Sequence, residues 1–537
     1  MKKLRNTIAC GVAALALLAT GLTSCTGDFD NINTSKDKPT PEDVDRDNAW
    51  AAFIQTMQRN VFAEGANAYQ LADNLLGDSY AGYFGQAQDW DSGSNSTCYA
   101  FPTAKWKDEP YKQAYNNVMS SWNILRQKVD SASVVFALGE VVKVQAMHRV
   151  TDIYGPLPYT AFGKMSSGLP YDSQETVYRT FIKELDHALK TLKAAYEADS
   201  GAKPIADFDV VFDSDLEKWI RFANSLKLRL AMRIVYTDFT TDDGRTPQQL
   251  AEEAVSSELG VIEDNSGNAM YTGFGKDGNP FYVCFFSYKS GAGDHRIAAD
   301  IASFMNGYDD PRRASYFNES AFSGGGYAGL RNGIQIPDDD RINNFSRYNV
   351  TASTSLMWMN ASEVAFLRAE GALRGWAMGG DARTFYEEGI RLSFERCGVA
   401  DQLTAYMAST ALPGGYDDPA FGYSCSNQST VTIPWNDGAA FEENLERIIT
   451  QKWIANFPLG TEAWADYRRT GYPRLFPVVV NNNPDITNLQ LGARRMTYPL
   501  EEYEANGETI RAAVDQWLGG QDKMSTRLWW DCNPRIR

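Results

Sequence analysis

The chain has 537 residues, of which 43% are hydrophobic and 12% aromatic. That is the composition of a globular protein with a large core, and it excludes an extended disordered chain. The 51 Lys and Arg against 68 Asp and Glu give a net charge of −17, which repels phosphate backbones and excludes nucleic acid as a natural partner.

At the N-terminus, Lys2, Lys3 and Arg5 precede an apolar run from Ile8 to Ala19. The run is too short to cross a bilayer and matches the hydrophobic segment of an export signal. Leu22, Thr23 and Ser24 then lead into Cys25. This resembles a lipobox, and it predicts a lipoprotein signal over 1–24 with Cys25 as the lipidated first residue. Residues 25–41 are polar and read as a tether, which leaves 42–537 as a single domain. No later stretch is long and apolar enough for a membrane span.

Helical patterns follow. In "YDSQETVYRTFIKELDHALKTL", Asp172 and Glu175 stand at capping-box spacing, and Val177, Phe181, Leu185, Ala188 and Leu192 recur at helical intervals. Trp219, Ala223, Leu226, Leu230 and Ile234 repeat the pattern. In "NASEVAFLRAEGALRGW", Ala365, Ala369, Ala372 and Trp376 share a face, and Glu370 has Arg374 four residues on. Small residues on such a face let a second helix approach closely, so the expected fold is mostly α, a scaffold of helix pairs. Residues 77–110, 263–296 and 317–355 are long, irregular and rich in Gly, Asn, Ser, Asp and aromatics. Loops of this length in a compact domain are usually functional.

The motifs for common chemistries are weak. "GFGKDG" has dinucleotide-site spacing, but Asn279-Pro280 follows at once where a helix should begin, so it reads as a turn. His148, His187 and His295 are far apart, and the cysteines after Cys25 show no C-x-x-C spacing. Asp338 to Asp340 offer oxygens to a structural calcium ion but lack EF-hand spacing; no other cofactor is expected. A glycosidase needs two carboxyls at a defined separation, and no pair is singled out. The loop aromatics carry more information. Trp90, Asn95 and Tyr99 lie in the first loop, Tyr282, Phe286, Tyr288 and Arg296 in the second, and Tyr327 in the third. Flat rings pack on the C–H faces of sugars while Asn and Arg bind hydroxyls, so these residues are the expected ligand-binding set. No catalytic residue is assigned.

Several stretches together resemble the SusD/RagB family of nutrient-binding outer-membrane lipoproteins. They are "RVTDIYGPLPYT" (149–160), "NASEVAFLRAEGALRGW" (360–376), "TQKWIANFPLGTEAWADYRRTGYPRL" (450–475) and "RRMTYPLEEYEAN" (494–506), with "FDNINT" after Cys25 and "WWDCN" near the end. Locally, Arg149 and Asp152 are expected to pair, and Trp453, Trp464, Arg468 and Arg469 to cement helix packing. The resemblance implies a scaffold of four tetratricopeptide-like (SusD-like) helix pairs carrying an irregular ligand-binding half. It implies a lipid-anchored, non-enzymatic protein on the outer face of the outer membrane, with Asp28 and Asp30 in the place of a surface-export signal. It also implies oligosaccharide capture and delivery to a SusC-like TonB-dependent transporter. Peptide binding, as in some branches of the family, and a glycan-cleaving lipoprotein are the alternatives.

Overall fold

The structure is a computed structural model and describes residues 50–90, 95–101, 103–164 and 168–536. Phe53–Arg537 forms one compact unit. The signal, Cys25, Asp28, Asp30 and the tether all lie outside the described residues.

Helix pairs build the scaffold of this unit. They are α1 (Val134–Tyr154) with α2 (Gln174–Ala198), α3 (Leu216–Arg233) with α4 (Pro247–Ser256), and α5 (Ala361–Leu373) with α6 (Ala382–Arg396). Then come α7 (Phe441–Ala455) and α8 (Gly460–Thr470), which are linked by a Lys452–Asp466 ion pair at 2.7 Å. Side-chain caps set where most of these helices start. Ser133, Ser173, Asp215, Asn360 and Asp381 each accept a hydrogen bond from the backbone N–H three residues on, and Thr246 with Gln249 forms a full capping box. Each such cap stabilises its helix by about 1 kcal/mol.

The predicted stripes are the packing faces. Val177, Phe181, Leu185, Ala188 and Leu192 are fully buried on α2, as are Trp219, Ala223 and Leu226 on α3. Two local expectations differ. The cap of α2 is Ser173; Asp172 instead accepts hydrogen bonds from the Tyr159 and Thr160 N–H groups. On the third stripe, Ala372 is half-buried and Trp376 lies beyond the end of α5.

Buried ion pairs tie the helix pairs together. Arg229 of α3 grips Glu363 of α5 through two bonds of 2.7 and 2.8 Å, and Arg233 bonds Glu462 of α8 at 2.6 Å. Arg469 of α8 holds Glu370 of α5 at 2.5 and 2.7 Å, and Arg374 adds the expected i,i+4 contact at 2.8 Å. Arg149 and Asp152 do not pair with each other. Arg149 reaches Asp73 and the Val61 carbonyl, while Asp152 accepts from Tyr178 Oη and Trp530 Nε1 and lies 3.4 Å from Arg233. Three residues apart on α1, they could have met, but each is taken up by partners from outside the helix.

Two small antiparallel ribbons organise the loop half. β1 (Phe84–Gln86) pairs with β3 (His295–Ile297), and β2 (Ala269–Tyr271) with β4 (Leu356–Met359). The first ribbon places Gln86 opposite His295 and so draws the first and second long loops together. "GFGKDG" forms a turn: Gly278 has φ +71°, and Asn279 caps the short helix Pro280–Tyr282.

Candidate functional site

Two aromatic features stand out in the loop half. The first is a set of half-buried rings on the two loops that the β1–β3 ribbon joins. Trp90, four residues past β1, meets Trp106 edge to face at 5.2 Å. The ring of His295 lies behind it, 6.5 Å from Trp90 and 6.0 Å from Phe285. Tyr282 and Phe286, one helical turn apart, stack at 5.5 Å, and the Arg347 guanidinium covers Phe286 at 5.3 Å. Tyr288 is half-buried, and burial pushes its hydroxyl up to about 12, so it is a neutral donor at ordinary pH. Lys289 and Ser290 beside it are exposed in left-handed backbone.

His295 is fully buried, and burial, helped by the neighbouring Arg296 charge, lowers it to about 3. The imidazole is therefore neutral at ordinary pH and serves as a ring packed under Trp90. His148 is likewise buried and lowered to about 3 by burial and by Arg229, with Nδ1 donating to the Val144 carbonyl at 3.1 Å. His187 donates to Glu140 at 2.6 Å.

The structure brings Trp90, Tyr282, Phe286 and Tyr288 to the loops joined by this ribbon and places the other predicted residues elsewhere. Asn95 is buried; its Oδ1 accepts from Thr97 N at 2.9 Å and its Nδ2 donates to the Ile334 carbonyl at 2.9 Å. Arg296 is fully buried too, and donates to the carbonyls of Ile342, Gly293 and His295 and to Asn343 Oδ1. Both hold loops in place and offer no free polar group to a ligand. Tyr327 is half-buried against Phe317 at 5.9 Å, with Arg313 over its ring at 5.7 Å. Trp106 and Arg347 were not singled out from the sequence. Trp106, set between two lysines in "KWKD" within the first loop, carried the same signal as Trp90.

The second feature is a cavity of about 350 Å³, and Tyr99 lines it. Tyr80 stands in its wall between Tyr99, at 5.9 Å, and Trp464 of α8, at 5.1 Å. Tyr467, Asp300 and Asn332 line it as well. Gly492, at φ +61°, lets its wall pass the Tyr99 hydroxyl, where an added Cβ would lie 2.6 Å away. Trp90 is not part of this cavity.

At the acidic loop, Asp339 caps a turn and is gripped by Arg341 at 2.7 Å. Among the described residues no group of three or more His, Cys, Asp or Glu side chains gathers around a point that would hold a metal ion. Cys98, Cys284, Cys397, Cys425 and Cys532 are free thiols. No helix among the described residues is long and apolar enough to cross a membrane.

Comparison with known proteins places this architecture. No curated protein matches the chain. Among solved structures, a SusD homolog from Bacteroides uniformis superposes with a TM-score of 0.83 at 41% identity, covering 91% of this chain and 100% of that one. A chitin-binding SusD homolog from Flavobacterium johnsoniae reaches 0.85 at 38% identity, covering 90% and 99%. A SusD homolog from Bacteroides thetaiotaomicron reaches 0.81 at 40%, again covering 90% and 99%. The family model described as SusD-like, SusD and RagB outer-membrane lipoproteins, matches residues 31–531. With the helix pairs, the loop half and this match in hand, the chain belongs to the SusD-like family of outer-membrane lipoproteins.

Proposed function

We propose that this protein captures oligosaccharides at the cell surface without cleaving them and passes them to a SusC-like TonB-dependent transporter. The observation that carries the reading is two half-buried aromatic pairs, Trp90 with Trp106 on the first loop and Tyr282 stacked on Phe286 in the second. Half-buried rings held by other rings are rigid platforms for the C–H faces of pyranoses. Arg347 over Phe286 and the neutral Tyr288 hydroxyl supply hydrogen-bond donors for sugar hydroxyls at the edge of those platforms. The chitin-binding homolog makes β-linked N-acetylglucosamine oligomers the first ligands to try.

In this reading Cys25 carries the lipid, Asp28 and Asp30 direct the protein outward, and the transporter is a partner recovered with it from gently solubilised membranes. Calcium has no part in capture, and chelation should leave glycan affinity unchanged.

The test is calorimetry on a soluble form that starts after Cys25, with chitooligosaccharides and a wider glycan and peptide panel, and product analysis on the same samples. Binding of an oligosaccharide that is recovered intact supports the proposal. Trp90→Ala should weaken that binding by about 1–3 kcal/mol, the range for a well-packed aromatic anchor. Release of new reducing ends would convert the reading to a hydrolase. Binding of peptides alone would place the protein in the peptide-binding branch.

A further inference from the structure

We infer that a cavity beside the β2–β4 ribbon, walled by Phe281, Tyr316, Tyr348 and Phe457 and charged by Arg396, binds a small monocarboxylate with a flat apolar body. At about 330 Å³ it falls within the range of small-molecule pockets. Its rings brace one another. Tyr348 meets Phe281 edge to face at 5.4 Å and Phe457 at 5.1 Å, and Phe457 meets Tyr316 at 4.9 Å. Met270, Met357 and Leu459 extend the apolar wall, and the partly exposed Ser315, Asn349, Thr354 and Ser355 form a polar rim. None of Trp90, Trp106, Tyr282, Phe286 or Tyr288 lines this cavity, so the inference does not rest on the role proposed for those rings.

The ligand class follows from the charge of the wall. Among the described residues Arg396, which ends α6, is the one charged side chain lining the cavity; no Asp or Glu faces it there. Its Nη2 donates to Tyr316 Oη at 3.2 Å and to the Ala455 carbonyl at 2.6 Å. Its Nε is enclosed by protein and takes no part. Nη1 is neither enclosed nor bonded to any group among the described residues, so it is the donor that Arg396 offers. Burial pushes the hydroxyls of Tyr316 and Tyr348 up, so both stay neutral and neither offsets the guanidinium. A cation held away from water without a counter-ion is costly, and an anion at Nη1 relieves that cost. A cation would find no carboxylate, and a phosphate monoester would bring nearly two charges against one guanidinium. A saccharide presents hydroxyls around its ring, which Met and Phe side chains would leave unpaired. One carboxylate on an aromatic body suits both ends, the charge on Arg396 and ring against ring. Free aromatic acids and the C-terminal phenylalanine of a peptide share that chemistry.

The experiment is calorimetric titration and saturation-transfer NMR on the soluble form that starts after Cys25. The probes are 3-phenylpropionate, 3-phenylpropanamide, acetyl-glycyl-phenylalanine and the C-terminal amide of that dipeptide. At least one carboxylate should bind, and its amide should bind about 10-fold more weakly or worse, the worth of one hydrogen bond to a charged group. Binding of phenylpropionate assigns the site to free acids, and binding of the dipeptide alone assigns it to peptide ends. Arg396→Gln should erase the preference for acid over amide. Ser355→Trp, at a half-buried rim position, should block the cavity and abolish binding at an unchanged melting temperature. No binding of either carboxylate overturns the inference, and so does equal binding of acid and amide. Carboxylate binding that survives Ser355→Trp lies elsewhere and overturns it too. Arg396→Gln also gives up bonds to Tyr316 and Ala455; if that variant does not fold, the acid–amide comparison and Ser355→Trp decide. Oligosaccharide titration of the same samples is a separate readout, so failure of glycan capture and failure of this site are told apart.

Discussion

Glu370 shows how one side chain can join two helices at the cost of a buried charge. Burial pushes its carboxyl up, but Arg469 and Arg374 outweigh that and hold it at about 2. A carboxylate depressed in the folded state contributes stability above its unfolded pKa, and that contribution is lost as pH falls toward the folded value. Wild-type protein should therefore lose stability between about pH 4.3 and pH 2 from this group. Glu370→Gln should cost about 3 kcal/mol at pH 7, because Arg469 and Arg374 lose a buried partner. It should also flatten the acid limb of the stability curve, and urea titrations at several pH values check both. The Glu370–Arg374 half of this site was legible from i,i+4 spacing. Arg469 lies 99 positions away, and only the packing of α8 on α5 brings it in. Asn95 and Arg296 show the same limit from the other side. They were expected to bind sugar hydroxyls, but their partners, Ile334 and Ile342, sit 239 and 46 positions off and take up the groups that were expected to face a ligand.

At the level of elements, periodicity carried most of the information. The stripes of α2 and α3 were legible because burial on a helix repeats every three or four residues and needs no knowledge of the partner. Caps were less secure: Asp172 and Ser173 are adjacent, both are good N-caps, and only the loop geometry decides between them. The contact between α8 and the helical segment Gln70–Asp78 left no pattern to read at all. There Gly77 and Gly460 let two backbones touch. A Cβ added at Gly460 would lie 2.2–2.4 Å from atoms of Asp78, and one at Gly77 would lie 2.5–2.6 Å from Thr461, backbone atoms included in both cases. Backbone cannot swing aside as a long side chain can. Gly460→Ala should therefore force the segments apart and destabilise the protein by about 1–3 kcal/mol, as overpacking does. An equivalent change at Gly375, where φ is +83° and the space is open, should cost about 1 kcal/mol from backbone strain alone. Thermal melts of the two variants side by side separate steric from conformational cost.

Across the whole molecule, the motifs that identify the family and the residues proposed to bind ligand occupy different places. Asp152, Glu363, Trp464 and Arg469 are buried in the helix scaffold, whereas Trp90, Tyr282 and Phe286 are half-buried in the loop half. The family was legible because the scaffold must keep its buried charges matched. The loop residues answer to a ligand, and a sequence shows their chemistry without their arrangement. This division predicts that stability and capture vary independently. Trp90→Ala and Tyr282→Ala remove no buried hydrogen bond, so each should change unfolding free energy by no more than about 1 kcal/mol while weakening oligosaccharide binding. Glu370→Gln should do the reverse, lowering stability with Kd unchanged at temperatures where the variant is fully folded. Sites that share no partner add. A Trp90→Ala/Glu370→Gln double variant should then show the sum of the two stability losses within about 0.5 kcal/mol and the Kd of Trp90→Ala alone. Coupling well beyond that margin would mean that the capture loops and the ion-paired core move as one body, and that the scaffold takes part in binding.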